Sequence, residues 1–194
     1  MRARLTRFGF SCDASDSDLR AVRQHFDQRN FIHLPGFVDR ALLRVIWRNM
    51  RDSDFQTAVY DGIGKDLKLR NRSLWSVLYL FMNDPRLFRF IRRVTGCRPI
   101  GSFYGRIYRM VEAPGVELDW HDDRQSRRRL VAISINLSER PYRGGTLTIR
   151  TNGASAGESA PNVGFGDAVA FRIAAKLEHR VEPVVGAAIC AISG

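Results

Sequence analysis

From Gly96 onward the chain changes its period. "SFYGRIYRMV", "RLVAISINL", "GTLTIR", "DAVAFRI", "HRVEPVV" and "AAICAIS" are short apolar or alternating runs, and Gly, Pro, Asn and Asp separate them. Runs this short are strand-length rather than helix-length, and the turn residues between them force each to find its partner elsewhere along the chain. A succession of such strands predicts an all-β sandwich or barrel with helices packed outside it. The stretch "TNGASAGESAPN" is small and polar and reads as a surface loop.

The residues before Gly96 follow the helical period, with one strand-like break. "SDSDLRAVRQHFDQRN" opens on Ser and Asp suited to an N-cap, then sets Leu19, Val22 and Phe26 at helical spacing. "FIHLPGFV" interrupts with β-branched and aromatic residues and a Pro-Gly turn. In "DRALLRVIWRNM", Leu42, Leu43, Ile46 and Trp47 share one side behind Asp39 as the cap. Another helix begins at "NDPRLFRFIRRVTG", where Pro85 suits the first turn and Gly96 the stop. We expect one domain over 1–194, mainly helical over 1–96 and β-rich over 97–194. A chain of 194 residues can bury a sizeable core.

Composition limits the partners. No apolar run approaches the ~20 residues of a membrane helix. The basic start "MRARLTRFGF" runs into "SCDASDSD" rather than an apolar stretch, unlike a secretory signal. Cys12, Cys97 and Cys190 lack metal-finger spacing and read as reduced, buried or half-buried thiols of a cytoplasmic protein. The net charge of +11 favours anionic partners, nucleic acid among them. The excess is spread over "RRV", "RQSRRR" and single arginines, and no nucleic-acid-binding motif accompanies it, so a solvated basic face is expected.

The chemistry concentrates in "DWHDD" and "LEHRVEPVVG". His121 and Asp123 stand two apart at the start of the β-rich part, a spacing that puts both side chains on one face of a strand. His179 lies several strands downstream, where a rolled sheet can return it to the pair. Two neutral imidazoles and a carboxylate on one face of a metal leave positions open, which suits non-haem Fe(II). Zinc with one bound water suits the same donors. His25, in a helical pattern, and His33, beside the Pro-Gly turn, are expected to lack a carboxylate partner and read as ordinary structural residues.

Over about residues 30–194 the chain resembles the Fe(II)- and 2-oxoglutarate-dependent oxygenases, in particular their prolyl-hydroxylase-like and phytanoyl-hydroxylase-like branches. The resemblance rests on "FIHLPGFVDRALL", "YRMVEAPGVELDWHDD", "RRLVAISINLSERPYRGGTLTIR" and "GDAVAFRIAAKLEHRVEPVVG". It implies a double-stranded β-helix (a cupin-like jelly roll), mainly β with flanking helices (α+β). It also implies that His121, Asp123 and His179 are the iron ligands, with 2-oxoglutarate and dioxygen as co-substrates. Asp123 stands where the family's halogenases have a small residue, so a hydroxylating or desaturating enzyme is expected.

The chain departs from this family at one point. Beyond the distal histidine the family usually places an Arg or Lys that pairs with the far carboxylate of 2-oxoglutarate, whereas here Ala187, Ala188 and Ile189 carry no charge. A buried carboxylate without a partner is costly, on the order of several kcal/mol. Arg150, on the face of Thr146 and Thr148, is the expected substitute, assisted by Tyr108, with Arg106 as the nearest rival. The substrate is expected to be a small or carrier-bound molecule of anionic character. Two other readings follow from the same residues: a metal-binding jelly-roll sensor that does not turn over, and an oxygenase acting on nucleic acid.

Overall fold

The computed structural model describes residues 1–123, 129–160 and 164–186, and the backbone of Ile189–Ser193. A hairpin of β1 (Arg2–Thr6) and β2 (Gly9–Asp13) leads into α1 (Asp16–Arg29) and β3 (Phe31–Leu34). Next come α2 (Arg40–Arg51), the hairpin of β4 (Phe55–Tyr60) and β5 (Gly64–Leu69), α3 (Arg72–Met82) and α4 (Pro85–Thr95). The strands that follow are β6 (Arg106–Met110), β7 (Leu118–His121), β8 (Val131–Asn136), β9 (Arg143–Gly144) and β10 (Leu147–Thr151). The chain then forms β11 (Glu158–Ala160), β12 (Ala168–Arg172), β13 (Leu177–Val181), β14 (Val184–Val185) and β15 (Ile189–Ser193).

The helices begin and end where polar side chains replace missing backbone partners. Ser15 and Asp18 close a reciprocal capping box on α1, and the Asp39 carboxylate accepts from the Leu42 N–H at 2.7 Å on α2. Asp84 caps α4, Pro85 opens its first turn, and Gly96 ends it in the left-handed conformation at φ 63°. The region before Gly96 is not helical throughout. It carries five strands besides its four helices, and α3 lies in "RSLWSVLYLFM", which the helical pattern above does not include.

Among the described residues, eleven strands join in one rolled sheet. One half runs β6, β15, β8, β12, β3 and the other β7, β13, β10, β11, with β5 bridging β6 and β7. The bridge depends on Gly64, whose partner across the seam is Leu118. Gly64 has φ +142°, and a Cβ there would sit 2.0 Å from the Glu117 carbonyl oxygen. Any side chain would therefore hold the two halves apart.

Alternation along the first half sorts its residues between two cores. Ile32, Leu34, Ile107, Ile133, Ile135, Ala168 and Ala170 pack with helix residues such as Phe26, Ile46, Leu78 and Phe90. Phe31, Ala132, Val169 and Phe171 turn the other way and meet Leu147 and Ile149 of the second half. Covered on both faces, these strands carry apolar residues at nearly every position. The fold is a double-stranded β-helix, mainly β, with helices on one outer face.

Three local expectations need correcting. The polar loop contains β11, which pairs with β10. Cys12 is exposed rather than buried. His33 does have a carboxylate partner: its Nε2 lies 2.9 Å from Asp167 Oδ2, and the Asp167 carboxylate also accepts from the Gly36 N–H at 2.7 Å. This pair ties the β3 turn to the loop before β12.

Candidate metal centre

His179 on β13 and His121 at the end of β7 are direct partners across the ladder. Partners in an antiparallel pair project from the same face, so the two imidazoles meet, with ring centroids 4.2 Å apart. A bulge in β7 makes this possible. Between the two ladder pairs β13 advances from His179 to Val181, while β7 spans from His121 to Leu118, one residue more. The extra residue aims both Leu118 and His121 inward.

Asp123 converges on the histidines by a different route from the expected one. The strand stops at His121, so simple alternation does not carry Asp123 to the same face. Instead Asp123 adopts φ 55°, a left-handed conformation that Asp tolerates better than most residues, and its carboxylate turns back. Its oxygens lie 3.9 Å from His121 Nε2 and 3.7 Å from His179 Nε2.

These residues fit a divalent metal. Their donor atoms all lie within 4.8 Å of one another, too far apart for hydrogen bonds but close enough to share one ion. The His121 Nδ1–H donates to the Asp119 carbonyl at 2.6 Å, which leaves the lone pair on Nε2 facing the cluster. Burial, and then the neighbouring His121, pull His179 down to about 4, so it is neutral at physiological pH as a ligand must be. The Phe171 ring packs edge-on against His179 at 4.9 Å and fixes its plane.

The cluster lies in a cavity of about 110 Å³ between the two halves of the sheet. Leu118, Leu147, Val169, Phe171 and Val181 make its wall apolar, while Tyr108, Ser134 and three cations, Lys68, Arg106 and Arg129, also line it. Arg129 reaches Asp123 at 2.8 Å. Arg106 lies 3.0 Å from Asp66, a carboxylate with no exposed surface, and the Tyr60 hydroxyl stands 3.3 Å from both Asp66 oxygens. Burial pushes Asp66 upward against the pull of Arg106. Arg106 Nε has no partner among the described residues.

Of the expected site residues, His121, Asp123, His179, Tyr108 and Arg106 meet at this cavity, and Arg150 does not. His179 pairs with Ile149, so Arg150, one residue on, points to the opposite face. There its Nε donates to Glu178 at 2.6 Å, and its guanidinium stacks on Trp120 at 3.7 Å. Lys68, Asp66, Tyr60 and Arg129 were not anticipated. The Asp-Gly turn in "VYDGIGKDL" is a hairpin signal that points to the first three. Of the basic run "RQSRRR", residues 124–128 lie outside the described residues, as do Ala187 and Ala188.

Residues 105–192, which include the whole triad, match the family model of the 2OG-Fe(II) oxygenase superfamily. This part of the chain resembles that superfamily. The superfamily is one of oxidoreductases, and its iron and 2-oxoglutarate suit the donors described. No curated protein matches the chain. Among solved structures, a 2OG-Fe(II) oxygenase-family oxidoreductase from Burkholderia pseudomallei is 20% identical. It superimposes with a TM-score of 0.66 over 98% of this chain and 93% of its own. A Pseudomonas putida prolyl-4-hydroxylase, also 20% identical, gives 0.64 over 90% of this chain and 96% of its own. The non-haem α-ketoglutarate-dependent epimerase SnoN from nogalamycin biosynthesis, 12% identical, gives 0.67 over 92% and 80%. At these identities the likeness is one of fold.

Proposed function

We propose that the protein is a 2-oxoglutarate-dependent Fe(II) dioxygenase that hydroxylates or desaturates a small or carrier-bound substrate. The convergence of His121, Asp123 and His179 on one cavity of an oxygenase fold carries this reading. Iron, when bound, would activate dioxygen with 2-oxoglutarate as the electron source. The chain's own part is to hold and orient. His121 and His179 present their Nε2 atoms, and Asp123 adds a carboxylate donor. Arg129, 2.8 Å from Asp123, holds the carboxylate in place. The wall formed by Leu147, Val169, Phe171 and Val181 excludes water from the reacting centre.

Arg106, with Tyr108 beside it, takes the place of the absent downstream cation as anchor for the far carboxylate of 2-oxoglutarate. Asp66 holds one side of the guanidinium, Nε is left over, and Lys68 keeps the cavity's charge positive. Anaerobic titration with Fe(II) and 2-oxoglutarate tests the reading through the visible charge-transfer band of the chelate. The band should form in wild type and vanish in His121→Ala, Asp123→Ala and His179→Ala. Unchanged bands in all three would refute the metal site. The uncharged "AAICAIS" favours one second reading, a sensor that binds iron without turnover. That protein would show the band and form no succinate on admission of oxygen.

A further inference from the structure

A second cavity opens beside the metal cavity and shares Lys68, Tyr104, Gly105 and Arg106 with it. Its volume is about 720 Å³, in the range of small-molecule sites. Arg70, Arg72 and Trp75 extend its wall, and among the described residues no carboxylate lines it. The sheet register explains the concentration of charge. Lys68 pairs with Tyr108 across β5 and β6, so Asp66, Lys68 and the following Arg70 fall on the face that carries Arg106 and Tyr108.

The buried acid of that face, Asp66, is taken by Arg106. Arg70 donates to the side-chain oxygen of Gln56, a neutral acceptor. None of the ion pairs among the described residues involves Lys68, Arg70 or Arg72. Cations that outnumber their counter-charges add little to folding, and such local conflicts mark binding surfaces.

We propose that this second cavity binds a phosphate group of the substrate, so that the enzyme acts on a phosphorylated small molecule. The proposal rests on the oxygenase reading and adds the substrate class to it. A single arginine fork satisfies a carboxylate, and Arg106 already offers one in the metal cavity. A phosphate carries nearly two charges and three strong acceptor oxygens, which calls for several donors, as Lys68, Arg70 and Arg72 provide. The shared wall allows the phosphate to sit in one cavity while the carbon to be oxidised reaches the other.

The test is calorimetric titration of the metal-free full-length protein with pyrophosphate, and with citrate as a carboxylate of similar charge. Arg70→Gln/Arg72→Gln is the variant of choice, since both residues line only the second cavity. The expected result is binding of pyrophosphate at least tenfold tighter than citrate, weakened at least tenfold in the double variant and retained under saturating 2-oxoglutarate. Equal binding of citrate, an unaffected double variant, or displacement by 2-oxoglutarate would each overturn the phosphate subsite. A single-stranded oligonucleotide that binds far more tightly than pyrophosphate would overturn the small-molecule assignment. The Fe(II)/2-oxoglutarate band, measured separately on wild type, reports the underlying reading. Loss of that band with intact pyrophosphate binding would sink the oxygenase and leave the subsite standing.

Discussion

Arg150 and Arg106 are both arginines on strands beside the His-Asp-His cluster, and their neighbours give them opposite roles. Arg150 is stacked on Trp120 and paired with Glu178 on the outer face, whereas Arg106 opens into the cavity. Arg106→Gln should weaken 2-oxoglutarate binding by roughly 2–5 kcal/mol, the consequence of leaving a desolvated charge unpaired. Arg150→Gln should leave it unchanged. Titrations of the chelate band with 2-oxoglutarate decide between them, and the reverse ranking would return the anchor to Arg150. His179 makes a second prediction at this scale. Its folded pKa is about 4 against an ordinary 6.5, so between these values the unfolded chain binds more protons than the folded one. Stability of the metal-free protein should therefore fall as pH drops from 6.5 towards 4, by up to about 1.4 kcal/mol per pH unit. Urea unfolding at a series of pH values should show this slope in wild type and a flatter one in His179→Leu.

Among the elements, α4 is the one most exposed to a single change. Asp84 caps it, accepts from the Phe10 N–H at 2.7 Å, and meets Arg86 at 2.8 Å, so one carboxylate joins the β2 strand to the helix. The hydrogen bonds from Arg86 above all hold Asp84 down to about 2. Its stabilising effect is complete above the ordinary carboxylate pKa near 4 and is lost as pH falls through 2. Asp84→Ala should cost about 1–2 kcal/mol at neutral pH, measured by denaturant unfolding, and should remove that acid-dependent component. A variant as stable as wild type would mean the cap is redundant.

Caps of this kind were legible in the sequence, since Ser15, Asp39, Pro85 and Gly96 act through residues a few places away. The His-Asp-His cluster was legible too, as residue types in order. The reasons for its convergence were not. The β7 bulge and the left-handed Asp123 are set by pairing with β13, and the facing of Arg150 by the register of β10. A strand's own sequence separates its two faces but does not say which one lies inward, and here both faces of β10 carry buried residues such as Thr148 and Ile149. The β4–β5 hairpin was missed for a related reason. Its inward charges, Asp66 and Lys68, break the apolar alternation by which strands are recognised.

Across the whole molecule, the triad and the sheet depend on each other. An ion that binds the folded chain alone stabilises it by about 2.7 kcal/mol at a hundredfold excess over Kd. Under anaerobic conditions Fe(II) should raise the melting temperature of wild type, and in Asp123→Ala the rise should disappear. An equal rise in both would place the bound iron elsewhere. Because His121 and His179 face each other across a single ladder, only one alignment of β7 against β13 brings both imidazoles inward. A slip of one residue would turn His179 outward and bring Glu178 or Arg180 to the cavity. Loading with iron, where the proposed site holds it, would thus act as proofreading: it would reward correctly threaded chains and leave misaligned ones without the ion that would hold them.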